Sequence, residues 1–178
     1  MRELTVESGK ANLLGLLFAV LFFPVMVIPF YFIWGDSIQL LSEIQQLKSD
    51  LLWIFLIILL SMVIHELLHG AAYLALTRGD FKNIKFGIIW QFITPYCHYK
   101  QPIPIWKYRV AVLTPGIFTG LIPFVLSLFF GNFALLFFSI LFTFGAVGDF
   151  IIIWMIRHEK SMAMVQDHPD KIGCIMEH

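Results

Sequence analysis

The sequence predicts an all-α integral membrane protein, with four transmembrane helices and a small cytoplasmic-side β-hairpin between the second and third. Three observations lead there. Hydrophobic residues make up 59% of the 178 positions and charged residues 13%, whereas a soluble domain is about half apolar and about a quarter charged. Four apolar runs, 12–34, 51–76, 108–130 and 133–156, are long enough for a bilayer that needs about 20 residues per helix. The basic residues are also distributed very unevenly between the segments that join these runs. The chain reads as one membrane domain, because no repeat, low-complexity linker or break in composition divides it. Net charge is zero and there is no basic arm, which removes any case for nucleic acid as a partner. The lipid bilayer is the first partner implied.

Residues 1–11 are polar, carrying Arg2, Glu3, Glu7 and Lys10. The first span, 12–34, is too long for a signal-peptide core and has no small-residue cleavage site, so it reads as a retained helix. Pro24 and Pro29 inside it predict a bend. A short polar connection follows, and Ser49 or Asp50 is suited to N-cap the second span. That span, 51–76, ends at Arg78-Gly79-Asp80. The loop 77–107 contains an alternating stretch, Lys82 to Ile88, and then Ile93 to Lys100, which predicts two short strands forming the hairpin. Pro102 and Pro104 break the chain before the third span. In that span Thr114-Pro115-Gly116 comes early, and Gly116 and Gly120 make a small-xxx-small face for close helix approach. Gly131-Asn132 predicts a tight turn into the fourth span, 133–156. The tail, 157–178, is polar. Cys97 and Cys174 lack metal-ligand or CxxC spacing and read as free thiols on the cytoplasmic side.

Four spans put the N-terminus, the 77–107 loop and the tail on one side. Arg2, Lys10, Arg78, Lys82, Lys85, Lys100, Lys107, Arg109, Arg157, Lys160 and Lys171 lie there, eleven in all, against Lys48 alone on the other. The positive-inside rule makes that side the cytoplasm, so both termini are cytoplasmic.

The titratable acids and histidines within the spans are His65, Glu66, His69 and Asp149, with Arg109 at an edge. Each costs about 2.5–3.5 kcal/mol or more at mid-bilayer unless it has a partner and a task. His65 and His69 are four apart and share a helical face, the spacing with which two imidazoles reach one zinc ion, with Glu66 as general base. Counted from the span ends at 1.5 Å per residue, the two histidines lie about 10–17 Å deep and Asp149 about 10 Å. Thr114-Pro115-Gly116 falls at a similar level. Catalytic zinc takes three protein ligands and leaves one position for water, so His65, His69 and Asp149 complete a metal set. Glu66 is placed to take a proton from a water that attacks a peptide carbonyl. Glycines 70, 145 and 148 leave space for water and a substrate backbone.

The residues His65-Glu66-Leu67-Leu68-His69-Gly70 in a membrane helix, the strand-rich segment after them, Thr114-Pro115-Gly116, and Gly148-Asp149 in a later helix are similar to the site-2 protease plan. More closely, the stretch from Leu51 to the C-terminus resembles a bacterial family of small membrane zincin peptidases, whose ending is like Asp167-His168-Pro169-Asp170-Lys171-Ile172-Gly173. The resemblance implies zinc on His65, His69 and Asp149, Glu66 as base, and residues 84–100 as an edge that presents a membrane protein or peptide substrate as an added strand. It also implies a bacterial plasma membrane. The aspartate's stretch runs Gly-Asp rather than Asp-Gly, and no PDZ domain is present.

Two competing readings belong to other classes. One is a catalytically silent metal-binding membrane scaffold; without metal, the same cluster becomes a polar helix–helix contact with Glu66 hydrogen-bonded to a histidine, and Asp149 is an acid paired with Arg109 or capping a water pocket. The other is a transporter using the intramembrane acids, which four spans without inverted repeats disfavour. His98 and His168 read as solvated loop and tail residues. A reporter domain fused to the tail is expected to be active only in the cytoplasm; activity outside the cell would reverse the orientation.

Overall fold

The computed structural model describes residues 2–79, 81–90, 94–168, 171 and 173–177. Asp80, Ile93, Pro169, Asp170 and Ile172, which enter the sequence argument, lie outside the described residues. The chain opens with strand β1 (Arg2–Thr5) and helix α1 (Ser8–Trp34), which continues through Pro24 and Pro29. Helix α2 (Leu40–Ser49) occupies the expected polar connection. Its apolar positions 40, 41, 44 and 47 have helical spacing, which a reading based on polarity alone passes over. Helix α3 (Leu51–Thr77) follows, and Arg78 ends it in the left-handed conformation with φ 51°.

Strands β2 (Ile84–Ile89) and β3 (Thr94–Tyr99) pair antiparallel, with Ile84 opposite Tyr99 and Ile89 opposite Thr94. Strand β4 (Ile103–Pro104) leads into α4 (Ile105–Pro115). A π-helical stretch, Gly116–Leu121, then joins α4 to α5 (Ile122–Phe130) in one long rod. The Gly131-Asn132 turn forms as expected. Gly131 closes α5 at φ 66°, and the Asn132 side chain accepts from the Leu135 amide at 2.9 Å to cap α6 (Phe133–Gly145). Helix α7 (Val147–Met155) is bent 46° from α6 at Ala146. The expected single span 133–156 is therefore two helices. Among the described residues, three helices are long and apolar enough to cross a membrane, α1, α3 and the 105–130 rod, and the bent α6–α7 pair makes up to a fourth. Their apolar side chains point outward, as Leu52, Phe55, Phe32 and Phe129 do, the arrangement lipid rewards and water does not.

The tail is not a free segment. Strands β5 (Met164–Asp167) and β6 (Gly173–Glu177) pair with each other, β5 also with β4 and β6 also with β1, giving an antiparallel sheet of order β1-β6-β5-β4. Its inner face supplies Ile103, Val165, Cys174 and Met176 to a buried cluster with Tyr73, Tyr99, Ile105, Tyr108 and Ile156. This core lies where α3 and α7 end and α4 begins. A smaller cluster, Met26, Phe30 and Leu136, joins the end of α1 to the start of α6. Between the two, Gly116 and Gly120 form the close helix contact expected of them. A Cβ on Gly116 would sit 3.7 Å from that of Ala146, and one on Gly120 would sit 2.6 Å from the Thr143 hydroxyl.

Ion pairs stitch β1 down. Arg2 meets Glu159 at 3.1 Å and Lys171 meets Glu3 at 3.2 Å. Gly173 holds φ 146°, and an added Cβ there would collide with the Leu4 carbonyl and lie 2.8 Å from the Thr5 Cα. Gly173→Ala is expected to destabilise the folded state by about 1–3 kcal/mol, read as a lower thermal midpoint in detergent. Gly9→Ala, with nothing within 4 Å of its new methyl, is the control that leaves the midpoint unlowered.

Candidate metal centre

The α3 helix places His65 and His69 on one face, with ring centroids 4.9 Å apart and rings nearly perpendicular. The bend at Ala146 brings Asp149, in the first turn of α7, against both. Its Oδ2 lies 3.1 Å from His65 Nε2 and its Oδ1 3.4 Å from His69 Nε2. A carboxylate in the first helical turn is also favoured by the helix dipole. One donor atom from each of the three residues lies within 4.8 Å of the other two, the metal-sized group found among the described residues.

The orientation of His69 has a specific cause. Its Nδ1 is 3.0 Å from the Ala111 carbonyl oxygen. A carbonyl only accepts, so Nδ1 carries the proton and donates it. In a regular helix the Ala111 carbonyl would be taken by the amide four residues on. That residue is Pro115, inside α4, and proline has no N–H. The Thr114-Pro115-Gly116 stretch thus frees the carbonyl that fixes the histidine tautomer. With Nδ1 committed to Ala111, Nε2 is the ring nitrogen left facing Asp149; it meets the carboxylate through a proton, and once deprotonated it can share a divalent metal with it. An imidazole oriented through its second nitrogen is the usual support for a metal-ligating histidine. The residues present therefore fit zinc.

Glu66, next to the histidines, is half-buried and faces the backbone amide of Cys97 on β3. A cavity of about 130 Å³ adjoins it, lined by Ser61, His65, Glu66, Pro95, Thr119 and Gly145 among others. That is room for several waters. Gly145 and Gly148 border open space, as the sequence implied, since a Cβ at either would meet nothing within 4 Å. Gly70 does something else. A Cβ there would lie 2.7 Å from the Phe86 ring, so this glycine lets the hairpin pack on α3 and makes no space for substrate.

The other candidates separate from the site. Arg109 does not pair with Asp149; its guanidinium donates to the Ile156 carbonyl and, at 3.2 Å, to that of Glu159, capping the end of α7. His98 packs on the Tyr96 ring at 4.5 Å. His168 is buried rather than solvated, accepting from the Lys171 amide at 2.9 Å and lying 3.5 Å from Glu3. Cys97 and Cys174 are free and buried. Burial pushes the Cys97 thiol well above its ordinary range and that of Cys174 up to about 12, so neither supplies a thiolate near neutral pH.

Sequence reasoning missed three groups beside the centre. The Ala111 carbonyl and the Cys97 amide are backbone and have no residue-type signature. Asp167 opened the tail stretch that resembles the family's ending but was given no role, and its carboxylate is held by Tyr73, Tyr99 and Tyr108. About one zinc per chain is expected in detergent-purified protein offered the metal, measured by elemental analysis, and it should be lost in both His65→Ala and Asp149→Ala. Loss in His65→Ala alone would pass the third ligand to another residue.

Searches among curated proteins and among solved structures found no match. A family described as "putative zincin peptidase" matches residues 57–164, more than half of the 178 positions and the stretch that holds all three candidate ligands. The chain belongs to this zincin peptidase family.

Proposed function

We propose that the protein is a membrane-embedded zinc metallopeptidase that hydrolyses a peptide bond in or next to the bilayer, with Glu66 as general base. The observation that carries this is the convergence of His65, His69 and Asp149 beside Glu66, at a cavity that admits water.

Zinc bound there supplies a Lewis acid and brings the pKa of water near neutrality. The chain's own groups do the rest. Asp149 and the two imidazoles would hold the ion, and the Ala111 carbonyl keeps the proton on His69 Nδ1, leaving Nε2 as the nitrogen that could ligate. Glu66 takes the proton of the attacking water and is placed to pass it to the leaving amine. The Cys97 amide, facing Glu66, restrains the carboxylate between those tasks. Gly145 and Gly148, at the bend between α6 and α7, leave room for an extended substrate backbone. In a site-2 protease-like arrangement the hairpin 84–100 presents that backbone as an added strand, and Pro95 of β3 already lines the cavity.

The sheet supports a four-span topology. Strands β1, β4, β5 and β6 share it, so the segments before α1, before α4 and after α7 lie on one side of any membrane. An even number of crossings must separate them. Helices α1 and α3 supply two, and the 105–130 rod needs the bent α6–α7 pair as its return. The basic residues of the sequence favour the cytoplasmic face for this side, with the hairpin and both termini, and the family resemblance favours a bacterial plasma membrane.

Glu66→Gln is expected to keep fold and zinc while lowering hydrolysis by about 10²–10⁴-fold, read by mass spectrometry on transmembrane peptides reconstituted with the protein. Cleavage that survives the substitution would remove Glu66 from the role of base. A wild-type protein that holds zinc and cleaves nothing would favour the metal-binding scaffold.

A further inference from the structure

Asp167 ends β5, about a hundred residues beyond the two histidines, yet its carboxylate is held by groups from three other elements. The Tyr108 hydroxyl of α4 donates to Oδ1 at 2.6 Å. The Tyr99 amide of β3 donates to Oδ2 at 2.8 Å, and the Tyr73 hydroxyl of α3 lies 3.5 Å from the same oxygen. All three tyrosines are buried, and Tyr73 and Tyr99 stack with centroids 5.2 Å apart. A carboxylate in such surroundings is retained only where its hydrogen bonds are satisfied.

Each of these partners is one short step from a group that orients the metal centre. Tyr73 lies one helical turn beyond His69 on α3. Tyr108 lies three residues before Ala111, the carbonyl that receives the His69 Nδ1 proton. Tyr99 lies two residues beyond Cys97, whose amide faces Glu66. The same carboxylate therefore joins the segment that carries His69, the segment that aims it, and the strand that restrains the base. No ligand to Asp167 is needed for this; the geometry is complete within the chain.

We propose that Asp167 is a positioning residue of the metal centre: by holding Tyr73, Tyr99 and Tyr108 together it sets the spacing of α3, α4 and β3, and so the aim of His69 and Glu66. The inference rests on the metal-site reading given above. An amide at position 167 accepts at one end only, so in Asp167→Asn the Tyr99 amide is kept on Oδ1 only if the Tyr108 bond reverses, with Nδ2 donating to the hydroxyl, and the negative charge is lost in either orientation. Tyr108→Phe removes one donor and leaves the carboxylate in place.

The test uses the full chain in detergent. Zinc affinity is measured by chelator competition, the ligand geometry by the d–d absorption of the cobalt(II)-loaded protein, and the fold by the thermal midpoint of the metal-free form. Asp167→Asn and Tyr108→Phe are expected to weaken zinc binding about 10–100-fold, the loss typical when a supporting partner of a metal ligand is removed, and to alter the cobalt spectrum. A residue that only stabilises the fold would lower the midpoint and leave affinity and spectrum as in wild type. Wild-type affinity and spectrum in Tyr108→Phe would overturn the proposal, even if the Asp167 variant fails to fold. Wild-type protein that takes up neither zinc nor cobalt would instead overturn the metal reading, and this inference with it.

Discussion

An ionisable side chain inside a bilayer has to be matched there, because lipid offers it neither water nor a counter-ion. In helices long and apolar enough to cross a membrane, the carboxylate of Asp149 between His65 and His69 provides such a match. Much of the helical arrangement answers to it. Helix α7 must leave the line of α6 for its first turn to reach α3, and the 46° bend at Ala146 makes that turn. The close approach of Gly116 and Gly120 to Ala146 and Thr143 keeps the bend beside the π-helical stretch. Pro115 then turns a defect into a support, since the hydrogen bond it cannot make within α4 leaves the Ala111 carbonyl for His69.

The same economy governs the second buried acid. Asp167 comes from the tail, but three tyrosine groups from α3, β3 and α4 make its burial tolerable. Burial raises its pKa, while His98 nearby and the hydrogen bond from Tyr108 oppose the rise. Two carboxylates thus mark the two levels of the molecule. Asp149 faces His65 and His69, and Asp167 lies at the end where helices meet sheet.

Residues costly in lipid were legible from sequence, and for that reason. His65, His69, Glu66 and Asp149 stand out in apolar runs, and counting residues from the span ends brings them to one depth. The hairpin was legible from alternation, and the Gly131-Asn132 turn from its residue types. The terminal sheet was not. Arg2–Thr5 and Gly173–Glu177 are short, and each finds its partner at the opposite end of the chain. Alternation in the tail, with Val165, Cys174 and Met176 turned inward, is too brief to distinguish from a polar segment. Helix α2 was hidden by its polarity, and the break between α6 and α7 by continuous hydrophobicity. Gly70 was misread because a glycine that makes space and a glycine that a neighbouring ring fills look alike until the neighbour is known. Backbone donors and acceptors around the site leave no letter in the sequence.

The pairing of β1 with β6 has a consequence for biosynthesis. Strand β1 is held in the sheet by β6, which is made more than 160 residues later, and domains otherwise tend to assemble from the N-terminus onward during synthesis. Arg2–Thr5 must therefore wait, unpaired, while every span is inserted. Asp167 arrives almost as late. A nascent chain already contains both histidines and Asp149 before the strand that carries Asp167 has been made. A chain stalled before β5 lacks the carboxylate that joins Tyr73, Tyr99 and Tyr108.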